Sequence, residues 1–167
     1  MIRVILVFCF LVSVPQGAFA HAEFFFSKVF SRAELPTTGF VLLNPDPDVA
    51  TVYFYWIPSQ GLPAGSPPPL SHPSFTIAAG GQFSALGSEL FPTASGEGWV
   101  LAITDTESMQ AFWLNYDERI TWLDGAEAAG YDTIGPDQII PFTAGVTELS
   151  VINPGAAKVP ADHPDFR

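Results

Sequence analysis

The rhythm of apolar residues limits this chain more than any other feature. Short runs rich in Val, Ile, Phe, Tyr, Trp and Thr recur between clusters of turn-forming residues, and helical spacing of apolar residues persists nowhere beyond about two turns. Such a chain folds from strands. The pattern predicts strands at 23–30, 39–43, 51–57, 74–78, 82–86, 99–104, 110–116, 138–142 and 148–152. Between them stand Asn44, Pro45, Asp46, Pro47 and Asp48, the stretch from Gly61 to Pro69, Gly80 and Gly81, the segment from Ser95 to Gly98, and Gly135 with Pro136 and Asp137. About nine strands at this spacing predict an all-β fold, an antiparallel β-sandwich of Ig-like or jelly-roll-like type. Prolines in the 61–69 stretch cannot donate to a ladder, so it reads as an exposed loop. Gly80 and Gly81 read as a hairpin turn, and 124–130 as one helical turn.

The first 20 residues stand apart. Arg3 precedes an apolar run from Val4 to Val14, which leads through Pro15, Gln16 and Gly17 to Ala18, Phe19 and Ala20, the layout of a secretory leader. The run holds about 11 residues, against the roughly 20 that span a bilayer. Cleavage fits after Ala20 or after Ala22, which puts the mature end at His21 or Glu23. The expected division is therefore a signal peptide at 1–20, a sandwich domain at 21–156 and a flexible tail at 157–167. No later stretch is apolar enough to serve as an integral membrane segment. A chain of about 150 residues buries roughly 68–70% of its unfolded surface, enough for one ordinary hydrophobic core.

Cys9 is the sole cysteine and lies inside the leader. Phe8 precedes it where a lipoprotein signal needs a small residue. A mature part without cysteine has no disulfide framework, no thiolate zinc site and no cysteine nucleophile. An exported, cysteine-free domain fits a bacterial periplasm, cell surface or medium. Seventeen acidic residues against six basic ones give a net charge of −11. That balance argues against nucleic acid and against an anionic membrane surface as partners. With 48% hydrophobic and 14% charged residues, the chain is too apolar to remain disordered.

The two ends of the domain echo each other. Residues Thr38 to Pro45 and Thr147 to Pro154 share the order Thr, any residue, apolar, any residue, apolar, apolar, Asn, Pro. Period two points Phe40 and Leu42 inward in the first copy, Leu149 and Val151 in the second. Proline then ends each strand by restricting the residue before it and removing a donor. Together with the aromatic strand ending near Gly61 and the segment Gly96, Glu97, Gly98, Trp99, Val100, these strands resemble the repeated β-sandwich modules of large bacterial surface and secreted proteins. The likeness spans about residues 24 to 156. It implies a structural or adhesive role, a further unit after Pro154, and no catalytic residues.

Three constellations could carry chemistry. A free amine and imidazole at His21, completed by His72 or His163, would suit Cu(II). In their first two residues, mature chains opening His-Ala resemble periplasmic copper carriers and copper-dependent polysaccharide oxygenases. A solvent-exposed histidine beside a cleavage site is the simpler reading. Acidic pairs at Asp46 and Asp48, Asp105 and Glu107, and Asp117 and Glu118 offer hard oxygen ligands for Ca²⁺. None has the spacing of a known calcium loop, and solvated turn residues explain them more simply. Finally, alternation in 52–57 sends Val52, Phe54 and Trp56 to one face and Tyr53, Tyr55 and Ile57 to the other. If Tyr53 and Tyr55, with Trp113 or Tyr116, stay exposed, they form an aromatic platform for a glycan or protein surface. The simpler reading is a central strand covered on both faces.

No Gly-x-Ser-x-Gly elbow and no phosphate-cradling glycine loop occurs. The sequence therefore predicts a secreted, non-catalytic β-sandwich module with a structural or binding role and no resident cofactor. A copper-binding protein or oxygenase headed by His21 is the alternative from another class. A carbohydrate-binding module is the third.

Overall fold

A computed structural model describes residues 22–61, 70–71, 74–117 and 119–130. Within them lie β1 (Ala22–Ser31), β2 (Thr38–Leu43), β3 (Ala50–Pro58), β4 (Leu70–Ser71), β5 (Phe75–Ile77), β6 (Gln82–Leu86), β7 (Glu97–Thr104), β8 (Gln110–Tyr116), β9 (Leu123–Glu127) and β10 (Ala129–Gly130). All pairings among them are antiparallel. The first sheet has the order β10-β1-β7-β3-β4, with β5 sharing the outer edge of β3, and the second has the order β6-β2-β8-β9. The fold is an all-β sandwich. Among the described residues, helix is confined to a 3₁₀ turn at Leu35–Thr37 and a single turn, α1, at Gly87–Leu90. No described helix is long and apolar enough to cross a membrane.

The two sheets interlock through aromatic rings at alternate positions. Phe26 of β1 meets Phe40 of β2 edge-on at 5.0 Å, and Phe30 meets Trp113 of β8 at 5.4 Å. On the opposite flank, Phe54 of β3 and Phe75 of β5 stack with Phe83 of β6 at 5.7 and 4.5 Å. Period two explains who points inward: Val52, Phe54 and Trp56 join this core, as do Phe40 and Leu42. Burial of each such side chain contributes about 1.5–3 kcal/mol. Leu35, Leu90 and Phe91, all buried, belong to the same core, with Phe91 5.7 Å from the Trp56 ring. Gly98 is required where β7 passes Trp56, because a Cβ there would stand 2.5 Å from the indole and 2.6 Å from the Ile57 carbonyl.

The chain changes layer at most connections, and this overturns two expectations. Gly81 N–H does donate to the Ala78 carbonyl at 2.8 Å across a tight turn, with Gly80 at φ 64°. Yet β5 pairs with β3 and β6 with β2, so Gly80 and Gly81 join different sheets and form no hairpin. The cause lies at Asn44, fully buried, whose amide N–H donates to the Gly81 carbonyl at 2.9 Å. Its side-chain Nδ2 donates to the carbonyls of Asp48, Ile77 and Ala78 at 2.8, 3.1 and 3.2 Å. The Asn of the Asn-Pro pair thus pins two loops, beyond the strand-ending role that proline gives it. The second correction concerns 124–130, which forms β9 and β10 in place of a helical turn. β8 and then β1 offer this segment ladders, which outcompete a single isolated helical turn.

The other expected strands in the described residues form, each within two residues of its expected bounds. The leader, the expected strands 138–142 and 148–152 with the second Asn-Pro copy, and the tail lie outside the described residues.

Candidate functional site

The unusual chemistry of the sandwich gathers where β1 approaches β8 and β9. Register between β1 and β7 shifts between Phe26 and Phe30, a bulge that frees the intervening backbone. Lys28 sits in that bulge, at the same parity as the inward Phe24, Phe26 and Phe30, and is only 6% exposed. A lysine so deep must be paired. Its Nζ lies 3.2 Å from Glu34 Oε1 and 3.9 Å from Asp124 Oδ2 of β9. Two indoles complete the surroundings, with Nζ 5.4 Å from the Trp113 ring and 6.0 Å from the Trp122 ring, both within cation–π range.

Glu34 is the hub of this cluster. It closes the turn after β1, where its Oε2 accepts the Ser31 amide at 2.8 Å. Its Oε1, already facing Lys28, also accepts Nδ2 of Asn115 on β8 at 3.3 Å. Asn115 is 2% exposed, and its Oδ1 accepts the Thr37 hydroxyl at 3.4 Å. Burial pushes the Glu34 carboxyl up, but hydrogen bonds from Ser31 and Lys28 and the ammonium charge outweigh it and hold the group below its ordinary 4.5. One carboxylate oxygen thus meets both the Lys28 ammonium and the Asn115 carboxamide N–H. The cluster also ties the first sheet to the second.

Three further aspartates hold turns and loops together. Asp46 accepts hydrogen bonds from Ser108 and Thr106, which hold it below its ordinary 3.8. Asp105 Oδ1 accepts the Thr51 amide at 2.8 Å. Asp117 accepts the amides of Thr121 and Trp122 at 2.6 and 3.0 Å, together with the Thr121 hydroxyl, and so closes the β8–β9 connection around Ile120, whose φ is +53°. Among the described residues no three His, Cys, Asp or Glu side chains converge for a metal ion. The carboxylates considered for Ca²⁺ are therefore spread over separate turns, with Glu118 outside the described residues. His21, His72 and His163, the copper candidates, also lie outside them.

The aromatic platform does not assemble. Tyr53 and Tyr55 belong to the outward face of the first sheet, where Tyr55 is 4% exposed beside Phe25, Ile57, Trp99, Leu101 and Ile103. Trp113 points the other way, into the core, and is equally buried. Tyr116, half-buried, shares the outward parity of Phe112 on the second sheet. Four residues on three surfaces cannot hold one ligand. The reason is that β3 is central, flanked by β7 on one side and by β4 and β5 on the other.

Sequence reading missed Lys28, Glu34, Asn115 and Trp122. One signal was present: in Phe24, Phe26, Lys28, Phe30 a charge occupies a position whose parity is that of the core. No family model, curated protein or solved structure matches this chain.

Proposed function

We propose that this chain is an exported, non-catalytic β-sandwich module that serves a structural or binding role at the cell surface, as its resemblance to bacterial surface modules implies. One observation carries the reading: the outward side of the second sheet offers apolar contact area, while Asp46, Asp105 and Asp117 are engaged in holding turns and strands. On that side Phe112, Leu114 and Tyr116 alternate along β8, with Leu123 opposite Tyr116. Leu43 and Phe112 are each 36% exposed and Leu123 is 62% exposed. Isolated apolar residues are ordinary on a surface, whereas a run along paired strands suits a protein partner.

The test is direct. Purified mature protein should show no turnover on a broad panel of hydrolase and oxidase substrates, and should be retained on immobilised envelope protein. Replacing Phe112 and Leu123 together by Lys should weaken retention roughly tenfold, a loss of about 1.4 kcal/mol, with the protein still folded by circular dichroism. Turnover abolished by a single substitution overturns the proposal. So does retention indifferent to the double change.

A further inference from the structure

We propose that the tip between β8 and β9, from Ile120 to Leu123, is a preformed apolar wedge that enters the interfacial layer of a zwitterionic lipid surface. The inference does not rest on the protein contact through Phe112.

Apolar exposure is concentrated at this tip. Among the described residues, Ile120 is 72% exposed, Leu123 62% and Trp122 49%, three large apolar side chains within four consecutive positions. So dense an exposed cluster marks a contact site. It is also held in shape. One carboxylate oxygen of Asp117 accepts the amides of Thr121 and Trp122, the other accepts the Thr121 hydroxyl, and the Asp117 carbonyl accepts the Ile120 amide at 2.8 Å. Ile120 stands at φ +53°, a backbone region that a β-branched residue rarely adopts. With so much of it in water, packing within the chain offers little to offset that strain. A strained residue kept apolar and outward points to a role outside the fold.

The hydrogen bonds indicate what kind of surface takes the tip. A protein contact carries about one hydrogen bond per 100–200 Å². Here the amides of Ile120, Thr121 and Trp122 and the Thr121 hydroxyl are all engaged within the loop, which leaves the side chains to make the contact. An apolar medium admits only such a segment, because it has no partner for a bare N–H. Trp122 suits the boundary of that medium: half of it is exposed, and its ring lies 6.0 Å from the Lys28 ammonium on the protein side. Arg119, exposed beside Ile120, can lay its stem along apolar chains and keep its guanidinium among lipid phosphates. Asp117, at the end of β8, limits entry to a shallow depth. Overall charge then selects the lipid. At a net charge of −11 the protein is repelled by an anionic surface, and a zwitterionic one removes that penalty.

The experiment uses purified mature protein and large vesicles of phosphatidylcholine. The amino terminus is determined first, because an uncleaved apolar run at 4–14 would enter vesicles unaided. Of the four tryptophans, Trp56, Trp99 and Trp113 are 2%, 6% and 4% exposed, so a change in emission on adding lipid reports Trp122. The expected result is co-sedimentation with the vesicles, a blue shift of the emission and loss of quenching by iodide. Ile120→Asn, a change that the left-handed region tolerates, should weaken partition roughly tenfold by removing an apolar side chain from the lipid. Circular dichroism checks its fold, and Ile120→Gly takes its place if it misfolds. Trp122→Phe should remove the spectral change while the protein still sediments. Mixing phosphatidylglycerol into the vesicles should weaken binding. Absence of both sedimentation and shift at millimolar lipid overturns the proposal, and so does sedimentation indifferent to Ile120→Asn. Binding that needs phosphatidylglycerol and vanishes at high salt would show an electrostatic contact through Arg119 and no wedge, which also overturns it. Weaker retention of Ile120→Asn on immobilised envelope protein, with no vesicle binding by the wild type, would give the tip to a protein partner and refute the lipid reading.

Discussion

On the outward side of the first sheet Leu101 and Ile103 are 2% and 1% exposed, while on the outward side of the second sheet Leu43 and Phe112 are each 36% exposed. The strands record this difference in their burial. Across β7 every residue from Gly98 to Thr104 is buried, whereas β8 alternates between covered and uncovered positions. A strand hidden on both faces has no need of polar residues at alternate positions, and one hidden on a single face does. The first sheet therefore acts as the structural middle of the domain. The second keeps one side available.

The largest expected effect sets the scale for this contrast. Trp56 is 2% exposed on the inward face of β3 and packs against Phe91. Trp56→Ala should cost about 3–5 kcal/mol in urea unfolding. Next comes the outward face of the first sheet. Leu101→Ala should cost about 2–5 kcal/mol if that face is a true second core. A loss below about 0.5 kcal/mol, typical of surface positions, would break the comparison, because both outward faces would then behave alike.

Much of the contrast could be read from residue order, and the rest could not. Period two marks Phe40 and Leu42 as inward, but Phe112, Trp113 and Leu114 run together in the sequence although only Trp113 is buried. Turn signals proved weaker guides. Gly80 and Gly81 have the composition of a hairpin, but the layer that the next strand joins depends on Asn44, more than 30 residues earlier in the chain. The helical reading of 124–130 failed because local preference in a short segment yields to an available strand partner. As for the Lys28 cluster, Glu34 and Asn115 are 81 residues apart, and only the stacking of the two sheets brings them together. The inward parity of Lys28 was visible, but its partners were not.

Asn44 sharpens the picture at the end of the sandwich where the chain changes layers. Asn44→Ala would take the donor from the buried Ile77 carbonyl, and a buried acceptor left without a partner costs about 1–3 kcal/mol, while the Ala78 carbonyl keeps the Gly81 amide. The same urea transitions measure it. The loss should fall between those of Leu101→Ala and a surface change. An effect as small as a surface change would mean that the crossover from β5 to β6 holds without its pin.

A smaller, local effect belongs to the β8–β9 connection. The Thr121 hydroxyl, followed by the amides of Trp122 and Thr121, holds the Asp117 carboxyl below its ordinary 3.8. A folded value below the unfolded one means that the connection is fully supported above 3.8, and that support disappears as pH falls through the lowered value. The amide resonances of Thr121 and Trp122 should therefore shift with a midpoint under 3.8, and Asp117→Asn should remove the transition. A midpoint at or above the ordinary value would show that the hydrogen bonds do not favour the charged form.

One further substitution is the most telling for the second sheet. Phe112 is a large aromatic residue on a central strand, the setting in which truncation to Ala ordinarily costs several kcal/mol. Here its ring faces outward opposite Val41 of β2 and Glu127 of β9, and over a third of it is exposed. Over a third of its area is already in water, so Phe112→Ala should cost clearly less than the roughly 3–5 kcal/mol typical of a fully buried ring. A loss comparable to that of Leu101→Ala would mean that the outward face of the second sheet is also a core, and that a partner could reach Phe112 only by disrupting the fold. A loss well below that of Leu101→Ala, combined with weaker retention on envelope protein, would separate the two roles: cohesion in the first sheet, contact in the second.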